Sequence, residues 1–225
     1  MKKFVVIVAG GSGSRMKSEI PKQFLRLKGI PVLMHTIQKF YSAFEGEITI
    51  VLVLPSDQHE YWNTLCEEHN FILPHITTHG GKTRMHSVEN GLNEIKEEGV
   101  VAIHDGVRPL ISEEVIRESF FTAEEHGSGV VCVLPKDSLR KISDTDRNVT
   151  RAVNRSDYLL VQTPQTFRVK EIKQAFIKAD HYEFTDDASV YENSEQNIKV
   201  IMGNYDNIKI TTPEDLVIAE SLIGK

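Results

Sequence analysis

Phe4-Val5-Val6-Ile7-Val8-Ala9-Gly10-Gly11-Ser12-Gly13 is the stretch that decides the fold. Its first six residues form a continuous apolar run dominated by β-branched side chains. Such a run suits a strand buried on both faces, as in a parallel sheet. Glycines follow at once. They let backbone N–H groups approach a ligand closely and form an anion-binding nest. A strand ending in such a loop is the opening of an α/β architecture, with a flexible turn as the plain alternative to an anion site.

The rest of the chain repeats the theme. Ile48 to Leu54, Val100 to Ile103, Gly129 to Leu134 and Ile198 to Met202 are further strand-like runs. Helical spacing lies between them: Leu33, Ile37, Phe40 and Tyr41 after Pro31, and Tyr61, Leu65 and Cys66 after Ser56-Asp57. Ser112 precedes Glu113 and Glu114 at the start of a helix with apolar positions Val115, Ile116, Phe120 and Ala123, and the acids complement the helix dipole. Thr212-Pro213-Glu214-Asp215 opens the last helix, with proline at its first position. Alternating strands and helices predict an α/β sandwich around a mostly parallel sheet, with ligands beyond the carboxyl ends of the strands. Ser138 to Arg155 breaks the pattern. Two short alternating segments flank a turn-rich middle and predict a β-hairpin. It is too poor in apolar residues to stand alone, so it should lean on something, a second copy of the chain being a natural support.

Composition narrows the function. The chain has 225 residues, 40% hydrophobic and 26% charged, which is a globular balance. Its net charge of −6 argues against a general nucleic-acid or anionic-membrane surface. No apolar run approaches the ~20 residues of a membrane span, and the run after Met1-Lys2-Lys3 stops at Gly10, too soon for a signal peptide. Two cysteines, Cys66 and Cys132, do not make a disulfide scaffold, and a reduced cytoplasmic protein is expected. Cys66 and His69 have ligand-like spacing but lack a second pair, so the nine histidines define no zinc site. No G-x-S-x-G elbow is present.

The chemistry gathers on the loops. A dinucleotide fingerprint starting at Gly11 and Gly13 fails at Met16, and a P-loop ending at Gly81-Lys82-Thr83 fails at Ile76. Between Ser12 and Lys28, however, five cations (Arg15, Lys17, Lys22, Arg26 and Lys28) face one acid, Glu19. A basic loop joined to a glycine nest suits a polyphosphate, and Arg15 and Lys22 are the expected ligands. Asp105 in His104-Asp105-Gly106-Val107-Arg108-Pro109 ends the third strand. It could hold Mg²⁺, bind a ligand hydroxyl or cap its loop, and Arg108 is a second anion ligand. Thr163-Pro164-Gln165, Thr185-Asp186-Asp187 and Asn207-Ile208-Lys209 are further polar clusters, with Asp186 also placed to cap a helix.

Taken in order, these blocks and Gly80-Gly81-Lys82-Thr83-Arg84-Met85-His86-Ser87-Val88 make the chain resemble, nearly end to end, the 2-C-methyl-D-erythritol 4-phosphate cytidylyltransferases. The resemblance implies transfer of CMP from CTP to a sugar-alcohol phosphate with release of pyrophosphate and with Mg²⁺ as cofactor. It implies a Rossmann-like nucleotidyltransferase sandwich over 1–225, with a dimerisation arm at about 136–156 making a homodimer. By position, Arg15 and Lys22 match the pair on the triphosphate. Ala9, Gly10, Gly11, Gly13, Gly81, Ser87 and Asp105 match the nucleotide pocket. Asp105, Arg108, Ser138, Thr163, Thr185 and Lys209 match the sugar-phosphate side, Asp105 also being the metal candidate. Arg155 matches a residue lent by the partner subunit, and with Lys209 it completes the expected catalytic set. Gly10 stands where many members have Ala, Lys82-Thr83 where many have an acidic pair, and Ser138 where Thr is common. The ribitol 5-phosphate cytidylyltransferases share several blocks, but Ala152-Val153-Asn154-Arg155-Ser156 and Thr185-Asp186-Asp187-Ala188-Ser189 look more like the methylerythritol enzymes. A catalytically silent nucleotide-binding homologue is the other alternative, and intact Arg15, Lys22 and Lys209 argue against it. The implied nucleophile is already an anion, so positioning and electrostatics rather than a strong base would supply the catalysis.

Overall fold

The computed structural model describes residues 1–11, 20–179 and 184–223. Its strands are β1 (Lys3–Val8), β2 (Arg26–Leu27), β3 (Ile30–Pro31), β4 (Thr49–Leu54), β5 (Ile76–His79), β6 (Val100–Asp105), β7 (Ser128–Val133), β8 (Arg140–Ile142), β9 (Thr150–Ala152), β10 (Leu160–Arg168) and β11 (Val200–Met202). Its helices are α1 (Val32–Ala43), α2 (His59–Glu68), α3 (Arg84–Glu94), α4 (Glu113–His126), α5 (Val169–Lys178), α6 (Asp187–Glu192) and α7 (Pro213–Leu222). All five strands expected from the apolar runs are present. So are the helix starts at Ser112, whose hydroxyl accepts from the Val115 N–H, and at Thr212, which forms a capping box with Asp215. Among the described residues, no helix is long and apolar enough to cross a membrane.

Seven strands form one sheet in the order β11-β7-β10-β6-β1-β4-β5. Alternation along β1 divides the core. Val5 and Ile7 face α1, α2 and α4 with Leu33, Phe40, Trp62 and Phe120, whereas Phe4 and Val6 face α3, α5 and α6 with Val88, Leu92, Phe176 and Tyr191. Each such side chain, fully buried, contributes about 1.5–3 kcal/mol. Gly91 lets α3 lie close against the sheet: a Cβ there would stand 2.4 Å from Val6 Cγ1 and 2.9 Å from Val53 Cγ2.

The sheet is mixed rather than simply parallel. β10 runs antiparallel to both β6 and β7, while the other four pairings are parallel. Its sequence, LVQTPQTFR, reads as a polar loop because of Pro164 and its flanking Gln and Thr residues. The proline is accommodated where the β10–β7 register shifts between Val161 and Gln165. The polar side chains are paired inside the fold: Thr166 Oγ1 donates to Ser119 Oγ at 2.9 Å, and Gln165 accepts from the Ala188 N–H at 2.7 Å. The expected hairpin is present as β8 and β9, paired Arg140 with Ala152 through Ile142 with Thr150, and its strands are largely exposed.

From β1 the chain builds outward through β4 to β5, then crosses back to place β6 on the other side of β1. The order therefore reverses between β1 and β6. A crevice at that point, beyond the strand ends, is the ligand position that the fold geometry dictates.

Candidate active site

The crevice holds a cavity of about 230 Å³. Ala9, Gly10 and Gly11 line it from the end of β1, Gly81 to Arg84 and Ser87 from the start of α3, and Asp105 from the end of β6. Lys22 and Lys209 also reach it, so four cations with Lys82 and Arg84 surround one carboxylate. Lys22 begins a short 3-10 turn, Lys22–Phe24. The buried Gln23 donates to Gln58 Oε1 at 2.6 Å, and the Phe24 ring stacks on Trp62, which together hold this turn. The Lys22 ammonium lies 3.5 Å from where a Gly11 Cβ would stand. The loop before α3 is closed on itself. The Gly81 N–H donates to Ser87 Oγ at 3.0 Å, Ser87 donates to the Thr83 carbonyl at 3.0 Å, and Thr83 caps the helix. A Cβ on Gly81 would fall 2.3 Å from His86 Cβ.

A second cavity, of about 330 Å³, adjoins the first and shares Arg84, Asp105 and Lys209 with it. Arg108, Gln162, Thr163, Thr185 and Asp186 complete much of its lining. Asp105 is the hub of the shared wall. Lys209 Nζ lies 2.9 Å and Arg108 Nε 3.4 Å from its Oδ2, and Arg84 Nε lies 3.6 Å from its Oδ1. Burial alone would raise the carboxyl pKa, but the Arg84, Lys209 and Arg108 charges outweigh it and hold the group below the ordinary range.

A chain of hydrogen bonds fixes this hub. The Asp105 N–H donates to Thr163 Oγ1 at 3.1 Å, Thr163 lies 3.1 Å from His104 Nδ1, and His104 Nε2 lies 3.2 Å from the Arg108 carbonyl. A carbonyl only accepts, so Nε2 carries the ring proton, Nδ1 accepts, and the Thr163 hydroxyl donates to it. Burial holds His104 neutral, with its pKa down at about 3. The segment before Lys209 is anchored by Asn207, whose Nδ2 donates to Gln162 Oε1 and to the Thr163 carbonyl at 3.0 and 2.9 Å. Arg108 Nη1 donates to the Asn207 carbonyl at 2.8 Å.

The family model for 2-C-methyl-D-erythritol 4-phosphate cytidylyltransferase (IspD) matches residues 3–225. The chain belongs to this family. The cytidylyltransferases of that name from Bacteroides thetaiotaomicron and Azobacteroides pseudotrichonymphae are 46% and 49% identical to it over 223 residues, 99% of this chain and 100% and 99% of theirs. Among solved structures, the 4-diphosphocytidyl-2C-methyl-D-erythritol synthase of Anaerococcus prevotii is similar with a TM-score of 0.84 at 29% identity, covering 99% of this chain and 96% of its own. The Francisella tularensis cytidylyltransferase gives a TM-score of 0.81 at 28% identity, covering 99% and 100%.

Against the residues expected of an IspD chain, the structure brings Ala9, Gly10, Gly11, Lys22, Gly81, Ser87, Asp105 and Lys209 around the first cavity, and Arg108, Thr163 and Thr185 around the second. Gly13 and Arg15 lie outside the described residues. Ser138 and Arg155 stand at the exposed root of the hairpin and line neither cavity, with Arg155 Nη1 donating to the Lys136 carbonyl. The Thr163 hydroxyl is engaged inside the fold by the Asp105 N–H and His104. Asp105, named above for nucleotide, acceptor and metal contacts alike, stands as the counter-ion of three cations. Asp186, the other acid lining the second cavity, is tied up capping α6 and accepting from Gln165. Among the described residues, no three His, Cys, Asp or Glu side chains could hold a metal together. The described residues alone therefore do not fit as the full ligand set of a metal ion. Sequence reasoning assigned no role to Arg84, whose Nη1 and Nη2 donate to the two oxygens of Asp187 at 2.9 and 2.7 Å.

Proposed function

We infer that this chain transfers CMP from CTP to the phosphate of 2-C-methyl-D-erythritol 4-phosphate, giving 4-diphosphocytidyl-2-C-methylerythritol and pyrophosphate. One observation carries the reading: in an IspD-family chain, two adjoining cavities meet at a single wall of Asp105, Arg84 and Lys209. Two anionic substrates must converge, and this wall is where cations are concentrated. An oxygen of the acceptor phosphate bonds to the α-phosphorus of CTP. The α–β bridging P–O bond breaks, and pyrophosphate leaves with its electron pair.

In this reading Ala9, Gly10, Gly11, Gly81 and Ser87 hold the cytidine, while Gly13, Arg15 and Lys22 hold the triphosphate. Mg²⁺ needs few protein carboxylates and would supply charge neutralisation to the bound phosphates, with Asp105 the nearest acid on the cavity wall. Lys209, Arg108 and Thr185 orient the acceptor phosphate. Asp105 keeps Lys209 extended between the lobes and can accept a hydroxyl. No general base is required, because the nucleophile is an anion at neutral pH.

We read residues 1–225 as one catalytic unit that works as a homodimer. The hairpin arm brings Arg155 and Ser138 to the partner's acceptor lobe. Exposed apolar side chains near the arm root, Leu134, Leu159, Leu160 and Val161, suit such an interface. Pyrophosphate release with CTP and Mg²⁺ tests the reading, comparing methylerythritol 4-phosphate with ribitol 5-phosphate. Preference for the first is expected. Preference for the second would overturn the acceptor assignment while keeping the reaction type, and no release would overturn the enzymatic reading.

A further inference from the structure

We propose that Arg84 and Asp187 form a positioning strut that sets the acceptor lobe against the nucleotide lobe, so that a carboxylate lining neither cavity controls capture of the acceptor phosphate. The inference deepens the two-lobe reading above and rests on it.

Arg84 is the first residue of α3, immediately after the loop that lines the nucleotide lobe. Asp187 is the first residue of α6, immediately after Thr185 and Asp186, which line the acceptor lobe. The two residues are 103 positions apart in the chain, and a two-bond fork joins them. Asp187 is fully buried and belongs to the lining of neither described cavity. Both Nη atoms of Arg84 are committed to it, which leaves Nε toward Asp105. Arg84 is thus no free phosphate ligand. It is a rigid planar link, and Lys could not reproduce its two parallel bonds.

The lobes differ in how much else holds them. The nucleotide loop has its own anchors: Gly80 N–H to the Leu54 carbonyl at 2.7 Å, Gly81 to Ser87, and the Thr83 cap. The Thr185-Asp186 loop has the capping box of α6 and the Gln165 side chain. These preserve α6 as a helix, and Val190 and Tyr191 hold its body in the core, while the fork is the link that ties its first turn to the start of α3. Breaking the fork should therefore displace Thr185 while α6 and the nucleotide lobe stay formed.

Asp187→Asn and Arg84→Lys, singly and combined, test this. The readouts are the KM for methylerythritol 4-phosphate, the Kd of CTP by calorimetry, and thermal unfolding. We expect each single variant to raise the acceptor KM about tenfold or more while the CTP Kd weakens less than threefold. The double variant should be no worse than the worse single one, since both changes break the same link. An acceptor KM within twofold of the parent in both single variants would overturn the strut, as would equal weakening for CTP and acceptor. If Asp187→Asn does not fold, Arg84→Lys alone decides by the same criteria. Absence of turnover in the parent protein would overturn the lobe assignment, and the strut with it. Turnover in the parent with unchanged variants overturns the strut alone.

Discussion

The two lobes of the crevice solve the same problem with different materials. The nucleotide lobe is mostly main chain. Gly10, Gly11 and Gly81 line the cavity with backbone, and the loop before α3 is closed by its own bonds, Gly81 to Ser87 and Ser87 to Thr83, with Gly80 tied to the end of β4. The acceptor lobe is mostly side chain. Its parts come from β6, β10, α6 and the segment after β11, and it is held by links such as Arg84 to Asp187 and Asn207 to Gln162. A backbone pocket gives close fit to a nucleotide and resists all but steric damage. A side-chain network concentrates charge but depends on every partner being present.

The largest expected effect falls on the nucleotide side, where the backbone lobe borrows its charge from side chains. Lys22→Ala should lower kcat by about a thousandfold, as removal of a transition-state donor does, with circular dichroism unchanged. Arg15→Ala should behave similarly. Normal kcat in either variant would remove that residue from the mechanism. Gly81→Ala probes the backbone lobe. The new methyl meets His86 Cβ at 2.3 Å, and strain of about 1–3 kcal/mol should weaken CTP binding roughly tenfold or more. The acceptor KM should hold; if it rises equally, the lobes are not separable.

Arg155→Ala should raise the acceptor KM several-fold with little change for CTP. Mixing it with Lys22→Ala should restore part of the activity if the arm works across subunits, and no recovery would contradict a shared site. Deleting Ser138 to Arg155 should give a monomer by sedimentation. Thr163→Val probes the support beneath Asp105. Losing both bonds of the buried hydroxyl should cost about 1–3 kcal/mol of stability, read by urea unfolding, with kcat falling less than in Lys22→Ala.

The smallest effect on turnover is expected at His104, whose burial shows instead in the pH dependence of stability. Its folded pKa of about 3 lies below the ordinary 6.5. The unfolded chain therefore takes up a proton that the native state refuses. This stabilisation is complete above about pH 6.5 and is lost as pH falls toward 3, at up to ~1.4 kcal/mol per pH unit. His104→Gln should remove that part of the acid slope in denaturant titrations at several pH values.

The contrast also explains what the sequence reveals. The β1–glycine loop, Asp105 at a strand end, and the capped starts of α4 and α7 are local signals, each readable within about ten residues. β10 escapes because Pro164 and four polar residues hide a strand whose polar groups find partners elsewhere in the chain, among them Ser119, Asp186, Ala188, His104 and Asn207. Arg84 escapes because nothing beside it announces Asp187. Thr163 is visible as a polar residue, but its engagement by Asp105 and His104 appears only once β6 and β10 are paired. Backbone sites are written locally, and side-chain networks are written in contacts.

Lys209→Ala tests most directly the claim that two separately built lobes meet at the Asp105 hub. CTP affinity by calorimetry and pyrophosphate release with methylerythritol 4-phosphate would be measured on the same preparation. The account predicts CTP binding within a few-fold of the parent and transfer reduced by at least a hundredfold, with a raised acceptor KM. Loss of CTP affinity in step with transfer, at an unchanged acceptor KM, would place Lys209 in the nucleotide lobe alone and contradict the account.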